Sequence, residues 1–257
     1  MKFVAFKNCT PTEQLDQIIS PPQSTVHEGQ SGIDLLYTQV LEQAVDEVGT
    51  YTGEIHSCLR TVIGAVLLVL NPLSMMALSD LLKMTNISTT LQSLHSVLLV
   101  PDSSEDHIKA FHKSFSDFLM DPLRCKHEQF FVEPAVHHTD ILLSCLRLMG
   151  ERLKRNICNL DDYAVLSEME DLPAHKKEHI GEALEYTCRF WAKHLLRVPG
   201  NSSQAGEVQK AIEKFFTSHL LYWIEVLVLV GDLDTGVYAM NDVEQWYALV
   251  SAMQTIC

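Results

Sequence analysis

Apolar residues recur at helical spacing along most of this chain, and the breaks in that rhythm separate its elements. Ile33, Leu36, Tyr37, Val40, Leu41, Ala44 and Val48 share one side of a helix opened by Ser31 and Asp34 and stopped by Gly49. Over 55–70 the pattern returns through Ile55, Cys58, Leu59, Val62, Ile63, Val66, Leu67 and Leu70. Its tail, Ala65–Leu70, is apolar all round, which predicts a central helix that Asn71-Pro72 ends. Ahead of both, Thr10-Pro11-Thr12-Glu13 forms a capping box for a short helix closed by Ser20-Pro21-Pro22.

The middle of the chain changes rhythm. Ser74–Leu82 predicts a short helix, Met84-Thr85-Asn86 a turn, and 87–96 a second helix with Ile87, Leu91 and Leu94 on one side. Val97–Val100 and Ile108–His112, separated by the polar stretch Pro101–Asp106, predict a β-hairpin. Two helices and a hairpin in that order make a winged helix. Ser114 then predicts an N-cap with Asp117 three residues on. Phe115, Phe118 and Leu119 form the buried stripe of that helix, and Asp121-Pro122 closes it. His112 would stand two residues before the helix N-terminus, where free backbone N–H groups and the helix dipole favour an anion.

From residue 134 onward the pattern is helical. Pro134–Leu153 turns Ile141, Leu142, Cys145, Leu146, Met149 and Leu153 inward, with Arg152, Lys154 and Arg155 complementing the dipole at its end. Ile180–Val198 follows, amphipathic through Leu184, Cys188, Phe190, Trp191 and Leu195; the preceding run His175–His179 reads as its solvated start. After a loop at Pro199–Gly206, one long helix is predicted over Glu207–Val230. It is apolar on all sides from Leu220 except at Glu225, and Gly231 caps it. Asp242–Ile256, with Trp246 and Leu249, makes the last helix. No fixed period recurs, which excludes a solenoid. The fold class is therefore mainly α: a winged-helix module with a small β-hairpin, followed by a helical domain.

Composition narrows the function. A hydrophobic content of 47% with 20% charged residues is that of a globular chain, and 9 prolines with 11 glycines suit long helices. The formal charge of −14 argues against a phosphate-backbone partner. The second helix of the winged-helix pattern, Ile87–Ser96, has no Lys or Arg with which to contact phosphates or guanines, so no nucleic acid is expected. The 7 cysteines include no CxxC pair, and four of them lie in or beside apolar runs, which favours reduced thiols. No apolar run approaches the roughly 20 residues of a membrane span. No membrane association and a cytoplasmic location are expected.

The familiar catalytic constellations are missing. No glycine is followed by lysine, so there is no GxxxxGK[ST] phosphate cradle. His27-Glu28 and His127-Glu128 begin like zinc-protease motifs, but Ser31 and Phe131 occupy the positions of the second histidine. Cys125 and His127, with His137 and His138, are the one metal-like grouping. Adjacent histidines leave a helix on different sides, however, so no metal site is expected from them. The chain is expected not to be an enzyme, with no catalytic residues and no metal ligands.

Between Ser31 and Trp246 the sequence resembles the fungal NACHT-type signal-transduction NTPases of the STAND class, relatives of the animal NOD-like receptors. The segments that carry the resemblance are Ser31–Leu41, Asn71-Pro72-Leu73-Ser74, Ser93–Leu98, Phe111-His112-Lys113-Ser114-Phe115, Arg124-Cys125, Phe130-Phe131-Val132, His137-His138, Asn156–Leu160, Cys188–Ala192 and His219–Glu225. The resemblance is to the region C-terminal to the P-loop domain. It implies three parts: 1–50, a remnant of the helical lid with an N-terminal tail; 51–122, a winged-helix-like domain; and 123–257, a C-terminal helical domain. It also implies that His112 senses nucleotide phosphate, contacting the diphosphate of the closed state, and only when a P-loop partner is present. The P-loop, the metal-binding acidic motif and the sensor repeats of such proteins are absent from this sequence. The expected function is therefore a non-catalytic, signal-relay part of a NACHT-type receptor, docking on a nucleotide-binding domain that this chain lacks. No cofactor is expected for the chain alone; ATP/ADP or GTP/GDP would enter only with that partner domain. The expected partner is such a domain or a second copy of the chain, through an apolar surface left bare. The alternative is an independent all-α scaffold or adaptor with no dependence on nucleotide.

Overall fold

Helices make up nearly all the regular structure of the computed structural model, which describes residues 31–48, 52–85, 87–161 and 165–254. In chain order they are α1 (Gly32–Val48), α2 (Thr52–Leu68), α3 (Met75–Leu82), α4 (Ile87–Gln92), α5 (Lys113–Leu119) and α6 (Pro134–Arg152). Then come α7 (Leu172–His179), α8 (Gly181–Leu195), α9 (Ala205–Ser218), α10 (Leu220–Val230) and α11 (Leu233–Gln254). Strands β1 (Leu98–Leu99) and β2 (Lys109–Ala110) pair antiparallel between α4 and α5, with Leu98 opposite Ala110 and Leu99 opposite Lys109. The capping box at Thr10–Glu13, the tail before Ser31 and the stop at Gly49 lie outside the described residues.

The helices and hairpin expected of the winged-helix pattern are present as α3, α4 and the paired strands, with α2 preceding them. Ser74 caps α3 by accepting the Ala77 N–H at 3.2 Å. At the other end Lys83 turns left-handed (φ 55°), and Arg147 of α6 donates to the Asp80 and Leu81 carbonyls at 3.3 and 2.8 Å. The Leu81 carbonyl would otherwise be an orphan of the helix end, whereas that of Asp80 also accepts the Lys83 N–H at 3.3 Å. A third extended segment, which the hydrophobic pattern does not reveal, joins the hairpin. Ser74 bridges His107, and Ile108 N–H donates to the Leu73 carbonyl at 2.9 Å. The chain leaving α2 is thereby tied to the wing.

Four differences from the sequence-based expectation change the path of the chain. Helix α4 stops at Gln92, not Ser96, and a run of tight turns carries the chain to β1. Ser93 Oγ donates back to the Thr90 carbonyl at 2.8 Å, a local bond that competes with helix continuation. The long helix expected over Glu207–Val230 is two helices, broken at His219 (φ −130°, ψ −1°). Before the break, α9 is amphipathic and buries Val208, Ile212 and Phe215. Beyond it, α10 is almost wholly apolar and buries Trp223, Val226, Leu227 and Leu229. These buried positions keep one helical face across the break, so the hydrophobic pattern does not reveal it. The run His175–His179 belongs to a separate helix, α7, and Gly181 (φ +64°) lies at the change of direction into α8. The last helix opens at Leu233 rather than Asp242, and Gly236 within it lets Leu227 of α10 approach closely.

One continuous apolar cluster runs from Leu41 to Val250, with α6 and α8 at its middle. Trp191, Phe215 and Trp223 meet at centroid distances of 5.2–5.9 Å, tilted or edge-on. Trp223 Nε1–H donates to the Cys188 carbonyl at 2.8 Å and Trp246 Nε1–H to that of Val198 at 3.0 Å. Helix α2 crosses α6 so closely that a Cβ on Gly64 would lie 2.0 Å from His137 Cδ2. The lone acid of α10 has a specific seat: the Glu225 carboxylate accepts the Asn156 and Ile157 N–H groups at 3.1 and 3.0 Å. Asn156 adopts φ +50° to present them and braces its loop through two side-chain bonds to Leu160. Among the described residues no helix is long and apolar enough to cross a membrane.

Candidate functional site

Helix α5 begins at Lys113, so His112 is its N-cap and Ser114 lies inside it. This corrects both the expected cap and the expected open N-terminus. His112 Nδ1 accepts the Ser114 N–H at 3.1 Å, and its carbonyl accepts the Phe115 N–H at 3.1 Å. The imidazole therefore fills the anion position that the helix end would have offered. With Nδ1 accepting, its one lone pair is shared by the Ser114 N–H and the Ser114 hydroxyl 2.8 Å away, and the Tyr37 hydroxyl, 2.6 Å from Ser114 Oγ, donates in turn. In the neutral ring the proton then sits on Nε2. His112 is exposed, and Nε2 has no hydrogen-bond acceptor among the described residues.

Helix α1 is clasped to this point from the other side. The Tyr37 ring packs against Phe115 and Phe118 at 5.2 and 5.5 Å. One turn before Tyr37, Asp34 is nearly buried and takes Arg124 through Nη2 at 2.6 Å and Nε at 3.2 Å. The guanidinium beside it holds the Asp34 carboxyl below the usual range, and Asp34 in turn raises Arg124. Around the clasp stand exposed apolar side chains: Ile33 and Leu36 on α1, Phe111 before His112, and Leu123 before Arg124, the last 81% exposed. Sequence reasoning singled out His112 but not Tyr37, Ser114, Asp34 or Arg124 as its neighbours. Contacts across 77 and 90 positions leave no local signal.

The other expected grouping is dispersed. Cys125 is buried, its thiol faces the His127 carbonyl, and burial pushes its pKa up to about 11, against the thiolate that zinc requires. His137 donates to the Glu133 carbonyl and lies against Gly64. His138 points elsewhere, with Nδ1 2.8 Å from His194 Nδ1. Among the described residues no three His, Cys, Asp or Glu side chains stand together as a metal site.

His138 and His194 belong to a buried hydrogen-bonded chain. The Leu70 N–H donates to the Tyr186 oxygen at 3.2 Å, and that oxygen lies 2.7 Å from His194 Nε2. Between the two Nδ1 atoms, 2.8 Å apart, one imidazole donates and the other accepts. Loss of water holds both histidines well below their ordinary pKa, with nearby Arg197 and a neighbouring imidazole (His137 for His138, His138 for His194) acting in the same sense. The same burial pushes Tyr186 up.

A cleft of about 630 Å³ separates α3 and the wing from α7 and α8. Three of its cations meet carboxylates: Arg152 with Asp80 at 2.9 Å, Lys177 with Glu105 at 3.3 Å, and Arg189 with Asp232 at 2.6 Å. Glu182 takes the Ser74 hydroxyl and N–H together with His107. The ties of Lys177 and Glu182 span the cleft.

No family model matches the chain, and no solved structure matches it. It is similar to the vegetative incompatibility protein HET-E-1 of Podospora anserina, 24% identical over 232 residues. The match takes in 83% of this chain but only 16% of the length of that protein.

Proposed function

We propose that this chain is a non-catalytic relay region of a NACHT-type signalling NTPase. It docks through the α1–α5 clasp on a nucleotide-binding domain supplied by another segment or another chain. The observation that carries the reading is the state of His112. Its Nδ1 is fixed as an acceptor by Ser114, so a single N–H donor, Nε2–H, remains for a phosphate oxygen brought by a partner. The apolar residues around it, Ile33, Leu36, Phe111 and Leu123, suit a surface covered by that partner. The distant similarity to HET-E-1 and the resemblance of the motifs to fungal NACHT proteins support the same reading. Without a Gly-Lys phosphate cradle, this sequence has no means of gripping a triphosphate unaided.

The test is ADP titration by calorimetry, on the chain alone and mixed with a NACHT P-loop domain. Saturable binding is expected only in the mixture. His112→Asn should weaken it by about tenfold, because Asn keeps the cap to Ser114 but lacks the imidazole donor. Saturable binding by the lone chain would overturn the reading. So would a mixture in which His112→Asn changes nothing, and that result would favour a scaffold indifferent to nucleotide.

A further inference from the structure

Between Leu220 and Gln254 the sequence contains no lysine, arginine or histidine. The same stretch holds eight of the seventeen large hydrophobic side chains exposed among the described residues, so the excess of bare apolar surface is local. Helix α11 explains much of it. Its buried stripe is Ala239, Val243, Trp246 and Val250, at i, i+4, i+7 and i+11. Leu233, Val237 and Met240 repeat the i, i+4, i+7 spacing on a second line roughly 120° around the helix. These three are 50%, 62% and 37% exposed. An amphipathic helix of a globular protein normally carries one such stripe, not two.

The second stripe has charged ends. Asp234 adjoins Leu233, and Glu244 is the next residue on the line after Met240; both are exposed. The other acids of this stretch are engaged: Glu225 by the Asn156 loop, Asp232 by Arg189 and Asp242 by Lys193. Asp234 and Glu244 enter no ion pair among the described residues.

We propose that this stripe is a docking site for a helix of another protein, one with an apolar i, i+4, i+7 triplet and a Lys or Arg at each end. Three apolar residues over about two turns give the contact, and the two acids set partner choice from the rim. A second copy fits badly. Two α11 stripes laid together oppose acid to acid in either direction, and the chain's net charge of −14 adds to the repulsion. The site is remote in sequence from the α1–α5 clasp and does not depend on the function proposed for it.

The test uses the full chain and a fluorescent capped peptide of about three to four turns, with leucines at i, i+4 and i+7, alanine filler and lysine at both ends. The control peptide carries glutamate in place of lysine. Fluorescence anisotropy should show saturable binding of the lysine peptide, at least about tenfold tighter than the control. Val237→Asp should abolish it, and the pair Asp234→Lys with Glu244→Lys should transfer the preference to the glutamate peptide. All three positions are exposed, and circular dichroism checks that the variants fold. Failure to bind, or binding that survives both variants, would overturn the proposal. So would a dimer in sedimentation that Val237→Asp dissociates, or capture by phosphatidylcholine vesicles that the same variant abolishes. The first would make the occupant a second copy, the second a lipid surface.

Discussion

Gly64→Ala should destabilise the protein although the substitution favours a helix. In the interior of α2, replacing glycine by alanine gains about 1 kcal/mol of helix propensity. The new methyl would stand 2.0 Å from His137 Cδ2, 2.5 Å from Nε2 and 2.9 Å from Cγ. Carbon atoms in contact sit about 3.5–4.0 Å apart, so the ring would have to withdraw by about 1.5 Å. It has little room, being 7% exposed and bonded to the Glu133 carbonyl at 3.0 Å. Overpacking of this kind costs about 1–3 kcal/mol and sometimes more, and here the high end applies. The net loss expected is about 2 kcal/mol, or roughly 4–8 °C in Tm for a chain of this length. Urea unfolding followed by the fluorescence of Trp191, Trp223 and Trp246 measures it as a lower midpoint at unchanged slope. In a His137→Ala background the obstacle is gone, and Gly64→Ala should become neutral or stabilising, a coupling of about 2–3 kcal/mol. A Gly64→Ala protein as stable as the parent, or an equal loss in both backgrounds, would refute the reasoning.

Three further outcomes follow from buried polar contacts. Arg124→Ala leaves the Asp34 carboxylate buried without its partner and should cost about 3 kcal/mol, with faster proteolysis within α1 as the readout. Glu225→Ala strips the Asn156 and Ile157 N–H groups of their acceptor and should cost about 2 kcal/mol in urea unfolding, whereas Glu225→Gln keeps one acceptor oxygen and loses about half as much. Acid should weaken the fold through His138 and His194, whose native pKa values lie below the 6.5 of the unfolded chain. Their contribution is complete above about pH 6.5 and is lost as pH falls, because the unfolded state binds the protons first; stability measured from pH 7 to 5 should decline, and less steeply in a His138→Gln, His194→Gln variant.

The helical core was legible where burial follows a single period. The stripes of α6 and α8 stand as the pattern predicts, and Phe115, Phe118 and Leu119 are buried as expected. The wing was legible from its polar loop between two apolar runs. Where tertiary packing decides, the pattern misled: the break at His219 leaves apolar spacing intact on both sides, and the last helix, expected from Asp242, opens at Leu233. The site was half legible. His112 stood out, but its role as the cap of α5 depends on ring orientation, and its link to Tyr37 depends on a contact across 77 positions. The seat of Glu225 was hidden for the same reason, since its partners are backbone N–H groups with no side-chain signature.

Ser114 is a junction, with its N–H and hydroxyl both committed to one imidazole nitrogen and its oxygen anchoring Tyr37. Any rotation of the His112 ring about its own bonds withdraws that nitrogen from both donors at once. The serine hydroxyl must then find a new orientation, and the tyrosine that depends on it loses its footing. A tug on the imidazole is thereby delivered, through three side chains, to the place where the first described helix rests on α5.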